Sequence, residues 1–182
     1  MLYTRKGDGG TTKTFGCDQR ISKSSAVAET LGSLDECNSF LGICKTNPDA
    51  KNPLRDEHSF ASIIDWIQQN LFIVQAHVAG AEKTISQEKI TYMESVIDTI
   101  EKELPPIKTF FVSGGTSLAA HLDFARTLAR RAERRAVAVS EEQKTKIDPM
   151  VLVFLNRLSS LLYALARFAN HRFGIKEESP HY

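Results

Sequence analysis

Cysteine is scarce in this 182-residue chain, and its three copies, Cys17, Cys37 and Cys44, are odd in number and form no CxxC pair. That excludes a disulfide framework and a cysteine-rich zinc site. Cys37 and Cys44 stand seven residues apart, on one face of any helix that holds both, and read as small core hydrophobes. The five histidines (58, 77, 121, 171 and 181) never form an HxxxH pair or stand beside a carboxylate at ligand spacing, so a protein-held zinc is not expected. Neither sign of charge dominates: 23 Lys+Arg against 22 Asp+Glu leave a net charge of +1, too little field to gather nucleic acid or an anionic membrane. No uninterrupted apolar run of about 18 residues is present, and the opening MLYTRKGDGGTTKTFG has neither a signal-peptide apolar core nor the acid-free character of a transit peptide. The expectation is a cytoplasmic protein with no nucleic-acid partner and no membrane.

Glycine and proline are also sparse, 10 and 6, and they cluster at boundaries: the GDGG start, Pro48 and Pro53, Pro105 and Pro106, Gly114 and Gly115, Pro149 and Gly174. Between them the apolar residues recur at three- and four-residue steps, which predicts five long helices. The first covers Ser24 to Lys45, with Val27, Leu31, Leu34 and Leu41 on its stripe. The second covers Asp56 to Ala81, the third Ser86 to Glu103. The fourth starts after Gly115, capped by Thr116 or Ser117, and runs to Val139. The fifth runs from Pro149 to Phe173 and is closed by Gly174; it is apolar over much of its circumference, which predicts a central place or a face covered by another subunit. Helices of about 25 residues are roughly 37 Å long, so the expected fold is all-α, an up-and-down five-helix bundle with an extended N-terminal loop over residues 1–23, forming a single domain over 1–182. No convincing strand is read, although Thr109 to Val112 suits a short extended piece.

Four stretches carry polar residues that a bare bundle does not need. The first is Thr4-Arg5-Lys6-Gly7-Asp8-Gly9-Gly10-Thr11-Thr12-Lys13-Thr14, followed by Arg20 and Lys23. Convergent backbone N–H groups, hydroxyls and cations make a phosphate cradle, although Thr12 stands where a Walker A loop needs glycine and no apolar strand precedes it. The second is Gly32-Ser33-Leu34-Asp35-Glu36, a glycine and two acids inside the first helix. The third holds Arg126, Arg130, Arg131, Arg134 and Arg135 with Glu133. Arg126, Arg130 and Arg134 share one face at i, i+4 and i+8, and three such guanidiniums repel one another unless an anion lies across them. A polyphosphate or Asp35 would serve. The fourth is Asn156-Arg157, where an amide on an apolar helix faces water or finds partners for both ends, as an adenine edge would provide.

Taken together and in order, these stretches resemble the PduO-type ATP:cob(I)alamin adenosyltransferases. Thr4 to Thr11 stand for that family's TRxGDxGxT, Gly32 to Ser39 for GTxDELNS, and Phe110 to Gly115 for FxLPGG. Ala125 to Arg134 stand for ARTxxRRAER, and Leu155 to Ser160 for LNRLSD. The departures are Lys6, Ser113 for the proline of LPGG, and Ser160 for the last Asp. The resemblance implies a trimer with ATP bound between subunits under the N-terminal loop, and transfer of the 5′-deoxyadenosyl group of ATP to cob(I)alamin with release of triphosphate. Thr4, Arg5, Lys6, Gly7, Thr12, Lys13 and Lys23 would hold phosphates, with Mg²⁺ carried mainly on those phosphates. Arg130, Arg131, Glu133, Arg134 and Asn156 would complete the nucleotide site. Arg126 would pair with Asp35 across the interface, and Phe110 would crowd the lower face of the corrin. Cobalt attacks C5′ directly, so no protein nucleophile is required and the reaction needs positioning and charge stabilisation, with Arg130 foremost. A bundle that binds ATP or corrinoid without turnover, as a carrier or sensor, is the alternative reading.

Overall fold

The computed structural model describes residues 3–15, 19–55, 58–142 and 145–182. Its five helices are α1 (Ala26–Thr46), α2 (Phe60–Val78), α3 (Gln87–Glu101), α4 (Ser117–Glu141) and α5 (Pro149–Arg172), and each antiparallel turn returns the chain along the bundle as the periodicity predicts. Ser25 caps α1 through the Ala28 N–H, and Thr116 caps α4 through the Ala119 N–H at 3.0 Å. Ser86 occupies the cap position of α3 without a side-chain hydrogen bond. The predicted start of the second helix at Asp56 lies outside the described residues. His58 and Ser59, expected to be helical, are extended, and α2 begins at Phe60 behind a reciprocal capping box of Ser59 and Ser62.

The expectation of no strand is corrected by two small antiparallel ribbons. β1 (Thr11–Lys13) pairs with β2 (Arg20–Ser22), Thr12 opposite Ile21; β3 (Pro53–Arg55) pairs with β4 (His58–Ser59). Strands of two or three residues are too short to print an alternating pattern, so periodicity could not find them. Thr109 to Val112 is irregular and belongs to neither ribbon.

The fourth helix shows how one run of sequence builds both core and site. Ala125, Ala129, Ala132 and Ala136, at i, i+4, i+7 and i+11, are fully buried and let α4 lie close against α1 and α5, while the arginines between them point outward. In α5, Val151, Phe154, Leu155, Leu158, Leu161, Leu162 and Leu165 are all at 0% exposure, so the fifth helix is central, as its circumference predicts. Among the described residues α5 is also the one helix long and apolar enough to cross a bilayer, and more than half of that stretch is buried inside the bundle. Cys37 and Cys44 are core residues; burial pushes both thiols up to about 12, which leaves them protonated and inert. Cys17 lies outside the described residues.

The base of α5 is pinned by polar contacts. The Asp148 carboxylate accepts from the Thr84 hydroxyl at 2.7 Å and the Met150 N–H at 2.8 Å, and its own N–H donates to His77 Nε2 at 2.9 Å. The Thr84 and Met150 hydrogen bonds hold this carboxyl below the usual carboxylate range. Its contribution to stability is therefore complete above the unfolded value of about 3.9 and is lost as pH falls through the lower folded value. Asp148→Ala should cost about 1 kcal/mol at neutral pH, the worth of an N-cap, and denaturant midpoints of variant and wild type should converge in acid.

Candidate functional site

At the end of the bundle where α4 begins and α5 ends lies a cavity of about 650 Å³. The segment 107–114 forms one wall, Asp123, Arg126 and Arg130 of α4 a second, and Ser159, Ser160, Tyr163 and Asn170 of α5 a third. Phe110 stands on that wall with 80% of its surface exposed, so an aromatic face is open to the cavity. Ser113 and Ser160, two of the three departures noted in the sequence, both line this cavity.

The arginines of α4 divide by face. Arg131 pairs with Glu36 and Arg135 lies 3.4 Å from Glu29, both on α1, so these two tie the helices together. Arg126 is neutralised within its own helix by Asp123 at 2.6 Å and lies 5.9 Å from the Tyr163 ring centre; Asp35 is not its partner in the chain. Among the described residues no carboxylate pairs with Arg130, and Arg134 donates only to the Arg130 carbonyl at 3.2 Å. Two adjacent exposed guanidiniums thus stay uncompensated on the face that leads from the cavity along α4. Glu133 accepts from Asn156 Nδ2 at 2.9 Å. Asn156 Oδ1 accepts from Arg157 Nη1 at 3.0 Å, and Arg157 Nε donates to Glu94 at 2.8 Å. That chain of four side chains across α3, α4 and α5 satisfies the Asn156 amide within the protein and fixes its position beside the arginine face.

The N-terminal segment is folded as the β1–β2 ribbon, and Arg20 is its brace. Its guanidinium donates to the Thr11 hydroxyl at 2.8 Å, the Thr11 carbonyl at 2.7 Å and the Lys6 carbonyl at 2.5 Å, so Arg20 is spent on the loop itself. Lys23 crosses back over the turn: its N–H donates to the Gly10 carbonyl at 2.9 Å, and a Cβ at Gly7 would stand 3.1 Å from its ammonium. Arg5 holds φ at +58°, a left-handed conformation that a non-glycine residue keeps only under constraint. Thr4, Arg5, Lys6, Gly7, Thr12, Lys13 and Lys23 are thereby gathered on one small ribbon. It packs at the end of α2, where the Phe15 carbonyl would lie 3.2 Å from a Cβ on Gly80. That end of the bundle is opposite to the Phe110 wall, so a single chain does not bring the ribbon and the cavity together.

The sequence reading did not single out Asn170. Buried on α5, it donates to the Gly114 carbonyl and accepts from the Thr116 N–H, both at 2.9 Å, and so clamps the double glycine where the wall meets α4. A second residue not singled out, Arg167, is 5% exposed and reaches Glu177 and Pro105. The available signal was a full charge and an amide on the otherwise apolar face of α5.

Comparison with known proteins bears on the family and the fold. The model of the cobalamin adenosyltransferase family matches residues 2–169. The corrinoid adenosyltransferase PduO of Citrobacter freundii is 40% identical over 177 residues, which are 93% of this chain and 50% of that protein. The corrinoid adenosyltransferase of Bacillus subtilis is 35% identical over 178 residues, covering 96% and 89%. The chain spans about half the length of the Citrobacter relative and of its Salmonella typhimurium counterpart. A variant of the PduO-type ATP:corrinoid adenosyltransferase from Lactobacillus reuteri, complexed with cobalamin and ATP, has a TM-score of 0.87 at 30% identity, with 100% of both chains covered.

Proposed function

The chain belongs to the cobalamin adenosyltransferase family, and on that premise we propose that it transfers the 5′-deoxyadenosyl group of ATP to the cobalt of cob(I)alamin and releases triphosphate. One observation carries the reading on the nucleotide side: among the described residues Arg130 and Arg134 stand exposed without a carboxylate partner, while their neighbours Arg131 and Arg135 are paired with α1. The triphosphate is the anion such a face lacks.

In the reaction the cobalt electron pair forms the Co–C5′ bond as the C5′–O5′ bond breaks, and the electrons of that bond leave with the triphosphate. Cobalt rises from the first to the third oxidation state and C5′ takes up the two electrons, so no other reductant enters this step. The protein needs no nucleophile and no base. Its work is to hold C5′ in line and to meet charge growing on the leaving group. Arg130, Arg134, Arg5, Lys6, Lys13 and Lys23 supply positive charge to it, and Thr4, Gly7 and Thr12 supply neutral hydrogen-bond donors. Glu133 and Asn156, already oriented by each other, face the nucleoside. Phe110 and the cavity wall take the corrin, whose flat apolar face matches the exposed ring. Mg²⁺, when bound, would be carried mainly on the triphosphate oxygens and would neutralise phosphate charge there.

Because ribbon and cavity lie at opposite ends of one chain, we infer that ATP sits between subunits of a homotrimer. Asp35 and Ile43 share the outer face of α1 at i and i+8, Ile43 is 51% exposed and Phe124 of α4 is 52% exposed. This apolar face suits a subunit contact in which Asp35 meets Arg126 of a neighbour. Composition and the absence of a disulfide framework support a cytoplasmic address. An anaerobic assay with ATP, Mg²⁺ and chemically reduced cobalamin, at a mass fixed by light scattering, tests both claims. Adenosylcobalamin with equimolar triphosphate is the expected result, and a trimeric mass the expected assembly. ATP binding without product would favour a carrier or sensor.

A further inference from the structure

Beyond α5 the chain turns at Gly174, φ +65°, and lies back along the segment that carries Phe110. The Val112 N–H donates to the Glu178 carbonyl at 2.8 Å. One residue earlier, Glu177 receives a forked contact from Arg167: Nε reaches its two oxygens at 2.9 and 3.0 Å, and Nη2 reaches Oε2 at 2.8 Å. The same Nη2 donates to the Pro105 carbonyl at 3.1 Å, and the guanidinium carbon lies 5.1 Å from the centre of the Phe111 ring. Both side chains are shielded, at 6% and 17% exposure. A single guanidinium therefore ties together the start of the loop, its second phenylalanine and the C-terminal segment.

This geometry is more than stability asks for. A shielded ion pair is weak evidence of stabilisation, because desolvation offsets its attraction, whereas a planar fork with a stacked ring fixes orientation. The segment 105–115 has no ribbon or helix of its own, so its shape is set by what grips it. Asn170 grips the glycine end, and Arg167 with residues 177–178 grips the rest. Phe110 lies within the gripped span with its ring in the cavity.

We propose that Arg167 and Glu177 form a strap through which the C-terminal segment holds the Phe110 loop in the shape that receives the corrin. Both are positioning residues for adenosyl transfer that act through Phe110 and Phe111. The proposal rests on the corrinoid reading of the cavity given above. Its signature is selective, because the strap governs the corrinoid end and leaves the triphosphate face of Arg130 and Arg134 untouched.

The test uses the full chain, Glu177→Gln, and a chain ending at Gly174, with melting temperature as a fold check. For Glu177→Gln the KM for cobalamin should rise roughly tenfold, the scale of one charge-assisted hydrogen bond, while the KM for ATP changes less than about twofold. Glu177→Asp, which keeps the charge, should recover part of the loss. In a Phe110→Ala background the Gln substitution should change the cobalamin KM less than about twofold, since the strap then has no ring to place. Additive losses would overturn action through Phe110. Limited trypsinolysis at Lys108, exposed on the same loop, reads the strap without turnover: cleavage there should quicken roughly tenfold in both variants. An unchanged cleavage rate overturns the strap whether or not the protein turns over. A wild-type chain that makes no product, yet whose variants are cut faster at Lys108, keeps the strap and refutes the adenosyl-transfer reading instead.

Discussion

Replacing Arg130 by alanine is expected to lower kcat for adenosyl transfer by about two orders of magnitude, close to 3 kcal/mol of transition-state stabilisation, which is the scale of one lost donor to developing negative charge. The side chain is exposed on α4 at the edge of the cavity and has no carboxylate partner among the described residues, so its removal leaves no orphaned charge and the fold should persist. The matched control is Arg135→Ala, one face away, whose guanidinium lies 3.4 Å from Glu29 in an exposed pair. Exposed pairs contribute about 0–1 kcal/mol, so that variant should lose little stability and almost no rate. Stopped-flow conversion of cob(I)alamin under saturating ATP reads both. A wild-type rate in Arg130→Ala would refute the role assigned to it.

The contrast between these two arginines marks how far the sequence could be read. Helical spacing alone places Arg126, Arg130 and Arg134 on one face, and the structure keeps them there. What spacing could not give is which guanidiniums are already spent, because that depends on Glu29 and Glu36 arriving from α1 and on Asp123 one turn upstream. The five helices were legible because apolar stripes of 15 to 25 residues outweigh local preferences. The two ribbons were not, since their pairing is decided by contacts such as the Arg20 brace rather than by pattern. Asn156 illustrates the middle case. An amide on an apolar helix signals a partner, and the structure supplies Glu133 and Arg157, so both ends of that amide are satisfied within the protein. Asn170 and Arg167 carried the same signal on α5, and the apolar stripe around them masked it.

Gly115→Ala is the substitution with the largest expected effect on stability. Gly114 and Gly115 hold φ at +139° and +98°, where an alanine pays backbone strain of about 1–2 kcal/mol. At Gly114 nothing stands within 4 Å of an added Cβ, so strain is the whole cost there. At Gly115 the added Cβ would collide with the side chain of Asn170, and Asn170 cannot step aside without giving up the Gly114 carbonyl and the Thr116 N–H. Leaving those buried groups unpaired costs about 1–3 kcal/mol more, and a displaced Thr116 also weakens the cap on α4. The expected total for Gly115→Ala is about 4 kcal/mol, a fall in Tm of roughly 8–16 °C for a chain of this size, against roughly 2–8 °C for Gly114→Ala. Adding Asn170→Gly to Gly115→Ala removes the collision but not the strain, so the double variant should melt above the sum of its single losses. Strict additivity in that thermal cycle would mean that Asn170 is not what forbids a side chain at Gly115. The same clamp sets where the Phe110 wall joins α4, so the residual activity of Gly115→Ala should show a raised KM for cobalamin before any change in the KM for ATP.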